Sequence, residues 1–545
     1  MTMPHAEEAA GASRMSLVAL RILQAGAIAV VLASAPYKSF DLDRFFVPKE
    51  LVLNATAVIV TVLCLARAKR LAASRVDQLL AGALLLAALS AIFATNWWLA
   101  GRALALALAG AACFWTARAL SRAGHSRALV AALALAGVIG AATSLLQAYG
   151  VRTEFFSLNR APGGTFGNRN FMAHLSVITL PALLFSGLRA PSHGALLRWC
   201  GGIAIVVASL VLSRTRAAWL ALLVGLVVLA IAGLIALRKR DGSVRLGRLG
   251  ILFLAAVGGG GAALVIPNTL DWKSDSPYLD TAQSIVNYKG GSGHGRLVQY
   301  GNSLRMTLRH PLLGVGPGNW PAVYPRFASD NDPSLGQDGM TSNPWPSSDW
   351  VTFVSERGVP ALVLLGLAML TLFADGIRGL RDEDTTESRL AAAVFLATLV
   401  ILVTVGTFDA VLLLPIPALV GWSLLGALAA HSRERAVVQL PAPRRVMLIA
   451  GVIVLGALAI TRSSTQLSAM AMYSTSSKLS VLERSSALDP GSYRIHLRLA
   501  ESYSRRGDCK KARPHIVAAR DLFPSAPAAR RVAAACGVKL SMGAD

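Results

Sequence analysis

Long apolar stretches recur along almost the whole chain, near residues 16–35, 50–66, 76–94, 100–117, 127–148, 171–188, 197–213, 217–237, 249–266, 359–374, 390–408, 411–430 and 446–461. Most run about 17 to 22 residues, the length at which a helix crosses a hydrocarbon core roughly 30 Å thick. The pattern predicts an all-α, polytopic helical membrane bundle of about thirteen spans. Composition agrees, because only 15% of the 545 residues are charged, against about 25% in ordinary soluble domains. The first stretch ends in VLASA, which mimics a signal-peptidase site, but Glu7 and Glu8 precede it where a signal peptide carries basic residues. It is read as a retained span.

The balance of 53 Lys+Arg against 29 Asp+Glu gives a net charge of +24. Nucleic-acid binding is one source of such an excess, yet the arginines here sit between apolar runs and not on one polar domain. The connections RAKRLAASR, RALSRAGHSR, RKRDGSVRLGR and SRERAVVQLPAPRR all fall on one side of the predicted bundle. The opposite connections, such as YKSFDLD and ATNWW, are short, mixed or acidic. The positive-inside bias then puts the N-terminus in the cytoplasm, and an odd number of spans puts the C-terminus outside. The domain reading is a cytoplasmic N-terminus over 1–15, spans over 16–266, a long periplasmic loop over 267–358, further spans over 359–462 and a periplasmic tail over 463–545.

The tail is polar and rich in Arg and Ala. Leu488-Asp489-Pro490 and Leu522-Phe523-Pro524 stand 34 positions apart, the tetratricopeptide period with Pro closing each helical hairpin. Ala500, Tyr503, Gly507 and Ala512 occupy the small and aromatic packing positions of such a repeat. One clear repeat and a partial second are too few to stand alone, so they pack on a protein partner, on the long loop or on each other; the plainer alternative is a helical hairpin cap. Cys64, Cys113 and Cys200 lie in apolar runs and read as small buried residues. Cys509 and Cys536 lie in the tail, whose external placement allows oxidation, and they are expected to form a disulfide.

No HExxH, CxxC, clustered His or P-loop occurs, and no metal or cofactor is expected. The run GVGPG holds Pro317 and reads as a tight turn before it reads as a phosphate cradle. The distinctive segments are DRFFVPKE (43–50), LLQAYG (145–150), GGTFGNRNFMA (163–173), SRTRAAWL (213–220), GRLVQYGNSLRMTLRHPLLGVGPGNW (295–320) and SERG (355–358). In this order, with a long loop after the ninth span, they resemble the O-antigen ligase and polymerase superfamily, in the subgroup with C-terminal tetratricopeptide repeats. The resemblance implies glycosyl transfer at the periplasmic face of a bacterial inner membrane. The donor would be a glycan on polyprenyl pyrophosphate, and the acceptor a sugar on a lipid, another lipid-linked glycan or a protein hydroxyl.

As the glycosidic bond breaks, the leaving pyrophosphate gains negative charge, and fixed arginines suit it through their bidentate fork. Arg214 and Arg216 stand between apolar runs on the side the topology disfavours for cations, and Arg296 matches the second anion-binding Arg of the family. Carried over, Arg214 or Arg216 with Arg296 would clamp the pyrophosphate; the alternative is an Arg snorkelling at a helix end. Asn168 and Asn170 flank an Arg in a turn that the resemblance places near the site, though an Asx turn before a helix reads equally well. Glu356 is the Glu of the family's E-x-G.

The family carries His-Asn nine residues before that Glu, where this chain has Ser347 and Ser348. A serine hydroxyl is too weakly basic to replace the His. Asp349 is the nearest carboxylate and a candidate base, or else a cap for the helix that follows. Other readings are an approach of His294 or His310 in space, a leaving group good enough to need no base, or lost activity. Asp409, between two apolar runs, is expected at the interface, bonding backbone freed by Pro415 and Pro417. The leading function is a glycan polymerase or specialised ligase, and the alternative is a non-catalytic scaffold that recruits polysaccharide machinery through its repeats. Nothing signals the inverted halves of a transporter.

Overall fold

The computed structural model describes residues 3–38, 40, 43–158, 161–238, 245, 247–272, 274–283, 291–329, 331–336, 339–429 and 436–539, with side chains from residue 14 onward except at 291, 292 and 436. Much of the Arg-rich connections 238–248 and 432–445, and part of YKSFDLD, lies outside the described residues.

The spans follow from the apolar runs. They are α1 (Met3–Leu32), α2 (Val47–Arg67), α3 (Arg75–Ile92), α4 (Trp97–Leu120), α5 (Ser126–Ala148), α6 (Arg169–Leu188), α7 (His193–Ser213), α8 (Arg216–Ala236) and α9 (Gly247–Val265). After the long loop, which holds α10 (Pro277–Gln283), α11 (Gly291–Arg309) and α12 (Trp320–Val323), come α13 (Asp349–Asp382), α14 (Thr386–Phe408), α15 (Pro415–Leu428) and α16 (Ala442–Thr475). Among the described residues, 11 helical stretches are long and apolar enough to cross a membrane. One of them, Trp97–Ala148, has 52 residues, which as a single straight helix would run roughly 78 Å. It is instead two spans, α4 and α5, broken where Gly124 turns at φ 87°. Adding the shorter α15, which begins at Pro415 and is buried along its whole length, accounts for the thirteen apolar runs. The chain is an all-α polytopic membrane protein.

Burial separates interior from lipid-facing helices. In α6, 83% of the apolar window is buried, and in α14 72%, whereas α16 reaches 11% and α9 17%. The central helix α6 therefore has a fixed position against its neighbours, and whatever its first turn carries is held by the core.

Hydrogen bonds sort the connections into two faces. On one face Arg44 donates to Glu154 O (2.9 Å), Asn96 N to Asn319 Oδ1 (2.6 Å), Thr269 N to Ala148 O (2.9 Å) and Val411 N to Asp349 Oδ1 (2.9 Å). On the other, β1 (Arg70–Ala73) pairs antiparallel with β2 (Ala436–Gln439), Arg118 pairs with Asp77 (2.6 Å), Ser121 donates to Ala427 O (2.8 Å) and Arg127 pairs with Glu387 (2.6 Å). These are the two sets of connections that the charge pattern separates.

The long loop ends inside α13. Its first turns lie before a kink at Gly358 (φ 81°, ψ 168°), where a Cβ would stand 2.2 Å from Leu312 O. The tail begins differently from expectation: α16 runs unbroken through Ser463 to Thr475, because no Gly or Pro interrupts that stretch. Four helices follow, α17 (Leu479–Leu488), α18 (Tyr493–Arg505), α19 (Cys509–Leu522) and α20 (Pro527–Ala535). The 34-residue spacing marks the ends of α17 and α19. Ala500, Tyr503 and Ala512 are buried between them, and Gly507 (φ 74°) turns α18 into α19. The tail packs on the long loop: Asn96 Nδ2 donates to Leu522 O (3.2 Å), and Phe523 joins the cluster around Trp320 and Tyr324.

Cys509 and Cys536 are joined by a disulfide, with Cα atoms 5.4 Å apart and 27 positions apart in sequence. Closing a loop of that size is worth roughly 3–4 kcal/mol in the chain-entropy account. Mass spectrometry of peptides alkylated without reduction is expected to recover Cys509 linked to Cys536, and Cys509→Ser to make the tail markedly more protease-sensitive. Two free thiols in protein purified without reductant would contradict both the bridge and an oxidising location for the tail.

Candidate functional site

On the face that carries the long loop, the helix ends surround a cavity of about 980 Å³. Its described walls come from residues 37, 40, 44–46, 157–158 and 166–171, from α11, from residues 333–334, 342–345 and 347, and from Asp409. Among the described residues three arginines line it, Arg44, Arg169 and Arg296, against one acid, Asp409, so this lining favours an anion. Phe45, Phe46, Phe166, Phe171 and Trp345 supply an apolar flank, with Phe46 edge-on to Trp345 at 5.5 Å.

The arginines differ in how they are held. Arg44 is buried, and its guanidinium donates to the carbonyls of Ala35, Glu154 and Phe156. Burial lowers its pKa from the ordinary value. Its bonds staple Ala35 and Arg44 to Glu154 and Phe156. Arg169 stacks on Trp272 at 4.9 Å. Among the described residues Arg296 makes no hydrogen bond or ion pair, and it lines the cavity from the first half of α11. A cation left without a protein counterion in a polar cavity has its full donor fork available to a ligand.

The turn at 213–216 stands just outside. Arg214 ends α7 in the left-handed region (φ 51°), donates to Thr281 Oγ1 (2.9 Å) and also stacks on Trp272, at 4.6 Å from the ring. Arg216 opens α8 and is half-buried. Neither lines the cavity. Thr215 between them donates to Asn170 Oδ1 (3.2 Å), which does. Asn168 caps α6, accepting from Asn170 N (3.0 Å), so the Asx turn is present and the two asparagines also form cavity wall.

Of the residues expected near the chemistry, Ser347 lines the cavity, tied by its N–H to Gln299 Oε1 (2.8 Å) and by its carbonyl to the Tyr300 hydroxyl. Ser348 is buried and caps α13, accepting from Val351 N (3.4 Å). Asp349 has no exposed surface and is not part of the cavity. Its carboxylate accepts from Val411 N (2.9 Å) and Leu412 N (2.9 and 3.1 Å). The backbone role expected of Asp409 thus belongs to Asp349, which caps a neighbouring corner and not its own helix. Glu356 is likewise buried. Its carboxylate pairs with Arg357 (3.2 Å) and accepts from Trp320 N (3.3 Å), and its carbonyl accepts from Gly316 N (2.9 Å). It holds the GVGPG turn, where Gly314, Gly316 and Gly318 all have positive φ, and it contributes nothing to the cavity lining. His294 and His310 are exposed and also absent from the lining.

Two residues outside those expectations complete the site. Asp409 lines the cavity and accepts from Ala410 N (2.9 Å) and Asn170 Nδ2 (3.4 Å). Behind it His174 places Nε2 3.8 Å from Asp409 Oδ2. The signal for His174 was its spacing: it follows Asn170 by one helical turn, so both face the same side of α6.

The site thus belongs to a polytopic helical membrane protein with an arginine-lined cavity at the helix ends of one face. Residues 201–366 match the family model described as O-antigen ligase. The matched stretch, less than half the chain, supplies Arg214, Arg216, Arg296, Ser347 and Glu356, so this part of the chain is similar to the O-antigen ligase superfamily. No curated protein matches the chain.

If Asp349 holds the 411–412 corner, Asp349→Asn sets an amide donor against backbone donors and leaves one unsatisfied, a cost of about 1–3 kcal/mol. The variant is expected to melt at lower temperature in detergent and to give less folded protein. An unchanged melting temperature would contradict the capping role.

Proposed function

We propose that the protein transfers a glycan from polyprenyl pyrophosphate to an acceptor hydroxyl, as an O-antigen polymerase or ligase working at the periplasmic face of a bacterial inner membrane. Arg296 carries this reading: a guanidinium that among the described residues has no partner, in a large cavity whose described lining has excess positive charge, inside the segment that matches the O-antigen ligase family. The charge separation of the connections supports an N-terminus in the cytoplasm and the cavity and tail in the periplasm.

In this reading the pyrophosphate lies against Arg296, with Arg169 as a second cation. Arg214 acts through the Trp272 stack that fixes Arg169. The aromatic flank receives apolar parts of the donor, and membrane lipids surround the outward faces of α8, α9 and α16. As the anomeric carbon–oxygen bond breaks, the electron pair leaves with the pyrophosphate, whose charge Arg296 stabilises more strongly in the transition state than in the ground state. The tail is read as a tetratricopeptide-like module seated on the long loop, open to a protein partner on its remaining surface.

Arg296→Ala is expected to abolish glycan transfer in a deletion strain while the protein still inserts at normal levels. Arg296→Lys should restore only part, because it keeps the charge without the planar fork. In the deletion strain, single lipid-linked repeats mark a polymerase, and finished polymer stranded on the carrier marks a ligase. Normal product from the Ala variant would refute the pyrophosphate clamp.

A further inference from the structure

Transfer to a hydroxyl needs somewhere for its proton to go, and the position where the family has its His holds Ser347 and Ser348. Neither hydroxyl is basic enough. Asp349 is sealed under backbone amides, with no exposed surface and both oxygens occupied. Among the described residues one carboxylate remains in the lining, that of Asp409.

Its surroundings are built to hold it aimed. Oδ1 accepts from the adjacent Ala410 N–H at 2.9 Å. Oδ2 faces Asn170 Nδ2 at 3.4 Å, and the Asn170 amide is oriented in turn by Thr215, which donates to its Oδ1 at 3.2 Å. His174, 1% exposed, lies 3.8 Å from the same Oδ2, and among the described residues neither ring nitrogen has a hydrogen-bond partner. A buried imidazole with both nitrogens unpaired is costly where it serves no purpose. The charged groups that bear on the pair are Arg296 from α11, whose field reaches His174, and Asp349 from α13, whose carboxylate feels Asp409.

Resting on the transfer reading above, we infer that Asp409 is the catalytic base for the acceptor hydroxyl, and that His174 and Asn170 are its positioning residues. The acceptor oxygen bonds to the anomeric carbon as that carbon's bond to the pyrophosphate oxygen breaks. The hydroxyl proton passes to Asp409 Oδ2, and the electron pair departs with the pyrophosphate at Arg296. His174 limits the retreat of the carboxylate from the cavity, so it acts on turnover and not on donor binding.

The test uses membranes from a deletion strain that carries native lipid-linked glycan and expresses full-length variants beside Arg296→Ala. Asp409→Asn is expected to lower kcat by roughly 100-fold or more, with donor KM little changed. Sodium formate, added to membranes carrying Asp409→Ala, should restore part of the rate, and should restore none to Arg296→Ala. His174→Phe keeps a ring in place without nitrogens. It should lower kcat alone, and its effect should vanish in the Asp409→Asn background, since residues acting as a unit are not additive. A wild-type rate for Asp409→Asn beside an inactive Arg296→Ala overturns the base and leaves the transfer reading standing. Equal product from membranes that lack the protein removes both, and full activity of Arg296→Ala removes the pyrophosphate clamp. Membrane-inserted Asp409→Ala that formate cannot rescue also overturns the base.

Discussion

The cavity depends on how one helix satisfies backbone that lipid cannot. Where a chain reverses at the end of a membrane helix, N–H groups away from water must find partners inside the protein. The first turns of α13 supply them in two directions. Asp349 accepts the N–H groups of Val411 and Leu412 and so fixes the corner between α14 and α15. One helical turn or two further on, the carbonyls of Ser355 and Glu356 accept from Val315 and Gly316, and the Glu356 carboxylate accepts from Trp320 N. An uncompensated carboxylate in such a place would be expensive, but one that accepts two or three N–H groups or pairs with Arg357 is not.

Everything at the cavity follows from those two ties. The corner that Asp349 holds presents Asp409. The segment leading into α13 presents Ser347, and α11, linked to that segment through Gln299 and Tyr300, presents Arg296. The opposite wall comes from the first turn of α6, whose apolar window is 83% buried. Cation and anion thus sit on separate rigid elements around one space, the arrangement that charge stabilisation at a breaking bond requires. Away from the cavity the tail is tied to the loop: Asn96 reaches both Asn319 in the loop and Leu522 in α19.

Much of this was legible in the chain itself. Span length and hydropathy locate all thirteen apolar runs, because a bilayer sets helix length almost independently of tertiary packing. Arg spacing sorts the connections into two faces. The site was legible in part: Arg296, Asn168, Asn170 and Ser347 reach the cavity, but the acid in its lining is Asp409 and not Asp349. Asp349 and Asp409 stand 60 positions apart, and nothing local shows that the carboxylate of one caps the corner holding the other. Glu356 shows the same blindness, since its partners arrive from the loop around Trp320. His174 reads as a lone polar residue in an apolar helix until Asn170, one turn earlier, is seen to share its face.

The central claim is that Arg296 holds the pyrophosphate of a polyprenyl-linked donor. The most direct measurement is a cryo-electron microscopy structure of the full chain in lipid nanodiscs with undecaprenyl pyrophosphate. The account predicts a diphosphate in the cavity with its oxygens about 2.7–2.9 Å from the Arg296 guanidinium nitrogens and the isoprenoid chain leaving past the aromatic flank. A diphosphate bound elsewhere while the cavity stays empty would contradict it.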